Sequence, residues 1–427
     1  MINIKKDTSL RKRVCAINIY LLYLPLLVLY IAIILVFSRD AFQADEGTYI
    51  GFAKNLLHGF YSPPAPNINL WNGPGYPLIL VPFAWLKLPL IFIKLLNSLF
   101  MYFSVILFYK TLELYIKSKK AVILYSFIFG LYYPFFSRLH LILTETFAIL
   151  LICGFIYLLC RLFAEDKINF KKLILPSVLL GYLALTKIIF GYVILACLFF
   201  FTLLYIIKKL EKFKIMVIIY LLALLFCTPY LIYTYSVTDK IFYWGNSGGS
   251  SLYWMSTPHA NELGSWHNSS LIETSALEKE HHKVFFDKLS NLSPIERDNA
   301  LKKEAIKNIK NHPMKYFING LANIGRMLFS YPYSNTYQKL STYFYMLPSM
   351  FIFVLSVLFI YPTVKVRKKI PFEITMLLMF GAVYFGASSL LSAYARQFYI
   401  VVPIVGLWLV YMFNKLIIIN YNFKDKL

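Results

Sequence analysis

Charge is scarce in this chain: 15% of its 427 residues are Asp, Glu, Lys or Arg, against about 25% in an average soluble domain. With 59% apolar residues, that shortage excludes an ordinary soluble globular protein and leaves a polytopic membrane protein. Acids are rarer than bases, 20 against 43, for a net charge of +23. A nucleic-acid binder would gather that excess into one contiguous patch, which this sequence lacks, so no nucleic-acid partner is expected. Cysteine is sparse as well. Cys15, Cys153, Cys160, Cys197 and Cys227 all lie in or beside apolar runs, so there is no disulfide framework and no metal-ligand spacing. The first apolar run has no Ala-x-Ala cleavage site and is longer than the roughly 7–15 residues of a secretory signal; it reads as an uncleaved anchor.

What is present is a series of apolar runs near the roughly 17–25 residues needed to span a bilayer. They lie at 14–37, 90–116, 121–137, 142–162, 173–187, 188–207, 215–236, 342–362, 372–391 and 397–418. The expected fold is therefore all-α and polytopic, with about ten transmembrane helices, amphipathic helices on the outer face and one large outer loop. The basic residues settle the orientation. Lys5, Lys6, Arg11, Lys12 and Arg13 precede the first run, and further clusters fall at every second connection: Lys117/Lys119/Lys120, Arg161/Lys167/Lys171/Lys172, Lys208/Lys209/Lys212/Lys214 and Lys365/Arg367/Lys368/Lys369. Lys415, Lys424 and Lys426 close the chain. By the positive-inside rule these are cytoplasmic. Three regions follow: 1–236, with helices one to seven and a first outer loop at 38–89; 237–341, the large outer loop; and 342–427, with helices eight to ten and a short cytoplasmic tail. The location expected is the plasma (inner) membrane, with the active site on the outer or periplasmic side.

The first outer loop carries an acidic pair, Asp45-Glu46. Residues 44–57 repeat apolar positions with helical spacing and stop at Gly59, which predicts an interfacial helix with the pair in its first turn, where the helix dipole favours anions. The turn formers of 63–66 and 72–77 then lead back to the bilayer. In the second loop, 242–254 is rich in glycine and aromatics and reads as an ordered loop, while 295–316 reads as a surface helix ended by Pro313.

Four isolated charges, Arg138, Glu145, Lys187 and Arg396, stand in the apolar regions, and all map to the outer ends of helices. Each has a bland alternative: a lone cation near a helix end snorkels to headgroups, and two acids can simply cap a helix. Ionisable groups at membrane depth nevertheless mark functional sites by default, and with Asp45 and Glu46 these four make one site of mixed sign. Among the aromatics, Trp71, Tyr76, Tyr243, Trp244 and Trp254 are candidate sugar platforms. His58 and His140 are given no role.

At this point the chain resembles a family. Asp45-Glu46-x-x-Tyr49 after helix one, Pro-Gly-Tyr-Pro at 74–77, Arg138 with Glu145, Leu-Thr-Lys187, Thr228-Pro-Tyr before Gly245-Asn246, and Arg396 near the last helix follow the order seen in C-type glycosyltransferases of the protein O-mannosyltransferase and lipid A aminoarabinose transferase type. Arg396 departs from that pattern in being followed by Gln-Phe-Tyr. The resemblance implies an inverting transfer of a sugar from a polyprenyl-phosphate-linked donor to a lipid, glycan or protein acceptor. Asp45 would be the base, with Glu46 and Glu145 beside it in the catalytic set. Lys187, Arg396 and Arg138 would hold the donor phosphate, and Tyr49, Trp71, Tyr76 and Trp244 the acceptor or sugar. No cofactor is certain; a divalent cation, if one is held, would fall to Glu46 and Glu145. A lipid-linked-sugar flippase or polysaccharide transporter is the rival, but it should show internal repeats and charges at the membrane midplane, and the sequence has neither. An O-antigen-ligase-like enzyme should instead show outer arginines and histidines.

Overall fold

The computed structural model describes residues 18–268, 272–273, 275–334 and 338–416, and the regular structure among them is helical. The first apolar run forms α1 (Ile19–Leu22) and α2 (Leu24–Phe37), interrupted at Tyr23 with Pro25 opening the second helix. The basic residues before it, Cys15, Lys424 and Lys426 fall outside the described residues. Residues 38–89 hold α3 (Glu46–Leu57) and α4 (Gly75–Trp85). Then come α5 (Leu90–Glu113), α6 (Lys119–Gly130), α7 (Tyr133–Leu139), α8 (Glu145–Phe163), α9 (Lys171–Thr186), α10 (Ile189–Lys208) and α11 (Glu211–Thr238). Residues 239–341 hold α12 (Gly248–Met255), α13 (Ala276–Lys288), α14 (Pro294–Asn311) and α15 (Pro313–Phe329). The chain finishes with α16 (Thr342–Lys365), α17 (Phe372–Ser389), α18 (Ala395–Tyr399) and α19 (Val402–Leu416).

Every one of the ten apolar runs contains a helix, but they are not ten equal spans. Six helices, α5, α8, α10, α11, α16 and α17, are long and apolar enough to cross a membrane, and α6 with α7, bent by 48° at the break between them, are a broken span or a re-entrant loop. α2, α9 and α19 have 14, 16 and 15 residues. At 1.5 Å per residue, helices of that size reach about 21–24 Å, short of a hydrocarbon core of about 30 Å.

Two bonding clusters mark the two ends of the bundle. Tyr115, past the end of α5, donates to Glu373 at the start of α17 (2.6 Å), and Tyr411 near the end of α19 donates to the Lys369 carbonyl (2.9 Å). That is the end where the basic connections lie. At the other end Asn97, early in α5, donates to the carbonyls of Leu139 (2.9 Å) and Leu141 (2.7 Å) between α7 and α8. Between the two ends a continuous apolar core runs through α2, α5, α8 to α11, α17 and α19.

The outer surface of this bundle is greasy. Of α16 only Ser349 is buried, while Phe344, Leu347, Phe351 and Leu358 stand exposed. α15 is turned inside out: Asn319, Asn323 and Arg326, spaced i, i+4 and i+7, are buried, whereas Met314, Phe317, Ile318 and Leu321 are exposed. Water would disfavour such a face; a lipid interface suits it. The chain is that of a membrane protein.

Two readings of the second outer segment need correction. Where 242–254 is expected as an ordered loop, residues 248–255 form α12, because the Asp298 carboxylate on α14 accepts from the amides of Gly249 (2.7 Å) and Ser250 (3.3 Å) and so caps the helix from a distance. Pro313 does not merely end a helix. α14 stops at Asn311 and Pro313 takes the first turn of α15, where its missing N–H is no loss. The segment also carries its own small core, Tyr253, Trp254, Ile272, Leu289, Leu301 and Ala305. Because Asp298 is buried and serves two amides, Asp298→Ala should lower stability by about 1–3 kcal/mol and Asp298→Asn by less, since its carbonyl still accepts. Thermal unfolding of the purified variants measures both.

Candidate functional site

Asp45 is the N-cap residue of α3, yet its side chain makes no capping bond. It faces Arg396 instead, whose two terminal nitrogens lie 3.3 and 3.4 Å from one carboxylate oxygen. The Nε of Arg396 is 3.8 Å from Oε1 of Glu145, and the same oxygen accepts from Lys187 Nζ at 3.0 Å. The four groups therefore alternate in sign, Asp45, Arg396, Glu145, Lys187, across four separate pieces of chain. The start of α3, the start of α8, the end of α9 and the start of α18 bring them together.

Exposure along this row is graded. Glu145 is 2% exposed, Lys187 12%, Arg396 23% and Asp45 39%. Only Asp45 is open enough to meet an incoming molecule directly, while Glu145 is the buried tie between two cations. Several buried polar atoms here have no hydrogen-bond partner: Glu145 Oε2, Arg396 Nε, Arg138 Nε and Asn72 Nδ2. These atoms, beside the exposed Asp45 carboxylate, leave hydrogen-bonding capacity that a polar molecule could use.

Close backbone packing fixes the Lys187 side. A Cβ at Gly73 would fall 2.1 Å from the Leu185 carbonyl oxygen, and one at Gly75 would fall 2.6 Å from Thr186 Oγ1. Only glycine lets the 72–77 turn press on the last turn of α9, and Tyr182 clamps it by donating to the Gly75 carbonyl (2.9 Å). This is the physical content of the Pro-Gly-Tyr-Pro segment.

Several expected members sit differently. Glu46 is fully buried, and both of its oxygens are taken: Oε1 by the Ile142 amide (2.8 Å) and Oε2 by the Gln43 amide (2.7 Å), with Lys94 Nζ 3.6 Å away. It ties α3 to α5 and to the 139–142 turn and presents nothing to a substrate. Lys94 was missed in the sequence although it stands five residues into an apolar run, the same signal that singled out Lys187. Trp244 is fully buried against Tyr230, Phe242 and Gly191, and Tyr76 is 1% exposed; neither can stack on a sugar. Trp254 is buried in the second outer segment's own core. Tyr49 is buried too, packed edge-on to Tyr76 with its hydroxyl toward Asn72 (3.4 Å). Trp71 is partly exposed and keeps its place among the candidates. A divalent ion does not fit Glu46 and Glu145, because each already faces a lysine and Glu145 an arginine as well.

Arg138 lies outside the alternating row, on the wall of a cavity of about 220 Å³ whose lining includes Lys339, Tyr333, Tyr345, Tyr394 and Tyr399. None of the described lining residues is acidic. Ala395 is also in that wall, so the cationic cavity and the Arg396 row are neighbours through one peptide bond. Lys339 carried no signal in the sequence, since a lysine in a polar loop is ordinary.

No known family matches this chain, and no curated protein does. Two solved structures are similar in fold. One is "Archaeal oligosaccharyltransferase AglB from Archaeoglobus fulgidus in complex with an inhibitory peptide and a dolichol-phosphate", with 11% identity, a TM-score of 0.48, and coverage of 92% of this chain and 50% of that one. The other is "ArnT from Cupriavidus metallidurans bound to Undecaprenyl phosphate", with 12% identity, a TM-score of 0.41, and coverage of 91% and 76%. The chain thus spans half the length of the first. At that distance neither decides the chemistry, which rests on the side chains described above.

The buried tie is the most sensitive point of the site. Glu145→Ala leaves two largely buried cations without their shared anion, so it should cost about 3–5 kcal/mol. The midpoint of thermal unfolding in detergent, compared with that of the conservative Glu145→Gln, reads the loss.

Proposed function

We propose that this protein is an inverting glycosyltransferase, moving a sugar from a polyprenyl-phosphate-linked donor to an acceptor hydroxyl at the outer face of the membrane. The observation that carries the reading is the gathering of partnerless buried polar atoms around the alternating row of charges, with a half-open carboxylate at its outer end. The motif order of the sequence agrees with it. Asp45 takes the proton of the acceptor hydroxyl. The acceptor oxygen then bonds to the anomeric carbon from the face opposite the leaving group, and the carbon–oxygen bond to phosphate breaks with its electron pair. The departing phosphate gains negative charge, which fixed cations stabilise.

Lys187 has its own anion in Glu145, so the phosphate falls chiefly to Arg138 and Lys339 in the acid-free cavity, with Arg396 between phosphate and base. In the absence of donor, Arg396 rests on Asp45 at the long distances given above. The donor phosphodiester carries one negative charge, as a carboxylate does, and gains a second as it leaves; its oxygens compete with Asp45 for the guanidinium, and to the extent that Arg396 turns toward them Asp45 is a better base. The exposed apolar flank of α16 gives the lipid chain a route alongside. The acceptor class, lipid, glycan or protein, is not distinguished by these residues. A flippase of the same lipid-linked sugar would need no base, so the carboxylate tells the two readings apart.

Asp45→Asn keeps size and fold but cannot take a proton, and should reduce transfer by about 10²–10⁴-fold with donor binding retained. Mass spectrometry of surface glycoconjugates in cells carrying either form first identifies the product, and turnover in nanodiscs gives the ratio. Transfer within a few-fold of the unaltered protein would remove Asp45 as base.

Orientation is tested separately. With cysteines at Asn291 and Lys208, each alone in a cysteine-free background, an impermeant maleimide applied to intact cells should label only position 291. Labelling at 208 would put the site on the cytoplasmic face.

A further inference from the structure

His259, Glu262, His281 and His282 bring four metal-ligating side chains together in the second outer segment, with donor atoms all within 4.8 Å of one another. From this geometry we infer that they form a zinc-class divalent metal site, of structural type, that pins the 256–266 turn to α13. The inference stands on these residues and does not depend on the sugar-transfer reading.

The donor set is the right one. Three imidazoles and a carboxylate match the nitrogen and oxygen ligands of zinc, and four protein ligands make a closed tetrahedral site. Zinc bonds of about 2.0–2.1 Å place tetrahedral donors about 3.4 Å apart, so the set must close by little more than an ångström. His259 and His281 are only partly buried and can make that move by side-chain rotation. Glu262 sits at the centre. His281 Nδ1 lies 2.6 Å from one of its oxygens, His282 Nε2 lies 3.1 Å from both, and the Thr257 hydroxyl donates to it. The rings of His259 and His281 stack at 3.7 Å, 6° from parallel, which holds the two imidazoles side by side.

The surroundings supply what a metal site needs beyond ligands. The Tyr253 oxygen is 2.8 Å from His282 Nδ1; with Nδ1–H donating to it, Nε2 keeps its lone pair for an ion and the ring is held in direction. A cavity of about 140 Å³ opens on His259, His281 and His282 and gives an ion a way in. One cation is close: Lys315, whose ammonium bonds the Glu262 carbonyl and Asn319 Oδ1 (2.9 Å). It is directed at the Glu262 carbonyl and the Asn319 oxygen rather than at the Glu262 carboxylate.

The consequence reaches past the ligands. The residues just after Glu262 hold other parts of the fold: the Leu263 and Gly264 carbonyls accept from Arg326 (2.8 and 3.0 Å), Gly264 also from Ser392 (2.8 Å), and Trp266 from the hydroxyl of Tyr394 (3.1 Å), two residues before Arg396. An ion at the cluster fixes the wall against which the Arg396 segment rests. The sequence showed the pattern His-x-x-Glu followed later by His-His, but with no cysteine near it the spacing passed as ordinary.

The test uses the full chain in lipid nanodiscs, equilibrated with zinc and freed of excess. Elemental analysis should find one zinc per chain, lost in His259→Ala/His281→Ala, and affinity about 10–100-fold weaker in Tyr253→Phe. Chelation should lower the thermal midpoint and zinc should restore it. Cobalt in place of zinc should give the intense visible bands of a four-coordinate ion, a readout on the unaltered protein that survives even if a variant misfolds. No retained zinc, the weak bands of a six-coordinate cobalt, or zinc content unchanged in the double variant would each overturn the inference.

Discussion

A carboxylate almost closed to water holds this site together. Glu145 opens α8, and one of its oxygens meets Lys187 from the end of α9 and Arg396 from the start of α18. Each cation alone would be costly at the edge of a bilayer, and two adjacent cations without an anion would separate. With Glu145 between them they are fixed side by side. Arg396 can then reach outward to Asp45 on a fourth piece of chain. Remove the central anion and the geometry of everything outward of it, the candidate base included, loses its anchor.

The same end of the bundle contains a second buried pair that does a different job. Glu46 and Lys94 are as buried as Glu145, but their polar atoms are spent on the protein: two amides on the acid, and the Arg39 carbonyl on the lysine at 2.7 Å. Glu145 keeps one oxygen free of partners. Neighbouring acids in one sequence motif thus divide into a fastener and an open site, Glu46 the first and Asp45 the second. Glu46 is fully buried with both oxygens bonded, whereas Asp45 is 39% exposed.

That distinction marks the limit of what the sequence could show. Apolar runs, basic connections and lone charges depend on composition along the chain, so the helical bundle and the meeting of Asp45, Glu145, Lys187 and Arg396 were legible. Lys94 was equally legible and was passed over. What could not be read were facts of partnership. Trp244 is aromatic beside a glycine turn, as a sugar platform would be, yet Gly191 lets it sink wholly into the core. Residues 248–255 have poor helical propensity and become helix only because Asp298, far along the chain, caps them. Span number also escaped, since an apolar run states its length but not where Tyr23 or Leu131 will break its helix.

Arg396 finally depends on the lipid side as much as on the charged row. The 388–393 segment leading to it is gripped by Asn323, whose amide donates to the carbonyls of Ser388, Ser389 and Leu391 and whose oxygen accepts from the Ala393 amide. Asn323 and Arg326 belong to the buried polar face of α15, whose opposite face is apolar and exposed. Where that apolar face sits therefore bears, through Asn323, on the position of the 388–393 segment that leads to Arg396 in α18. The cationic cavity beside Arg138 borrows its lining from the turns at either end of that arrangement, Tyr333 after α15 and Tyr394 before α18. The buried polar face of α15 thus joins the Arg396 segment to the lining of the cationic cavity, so that the apolar exposed face and the charged site belong to connected parts of one unit.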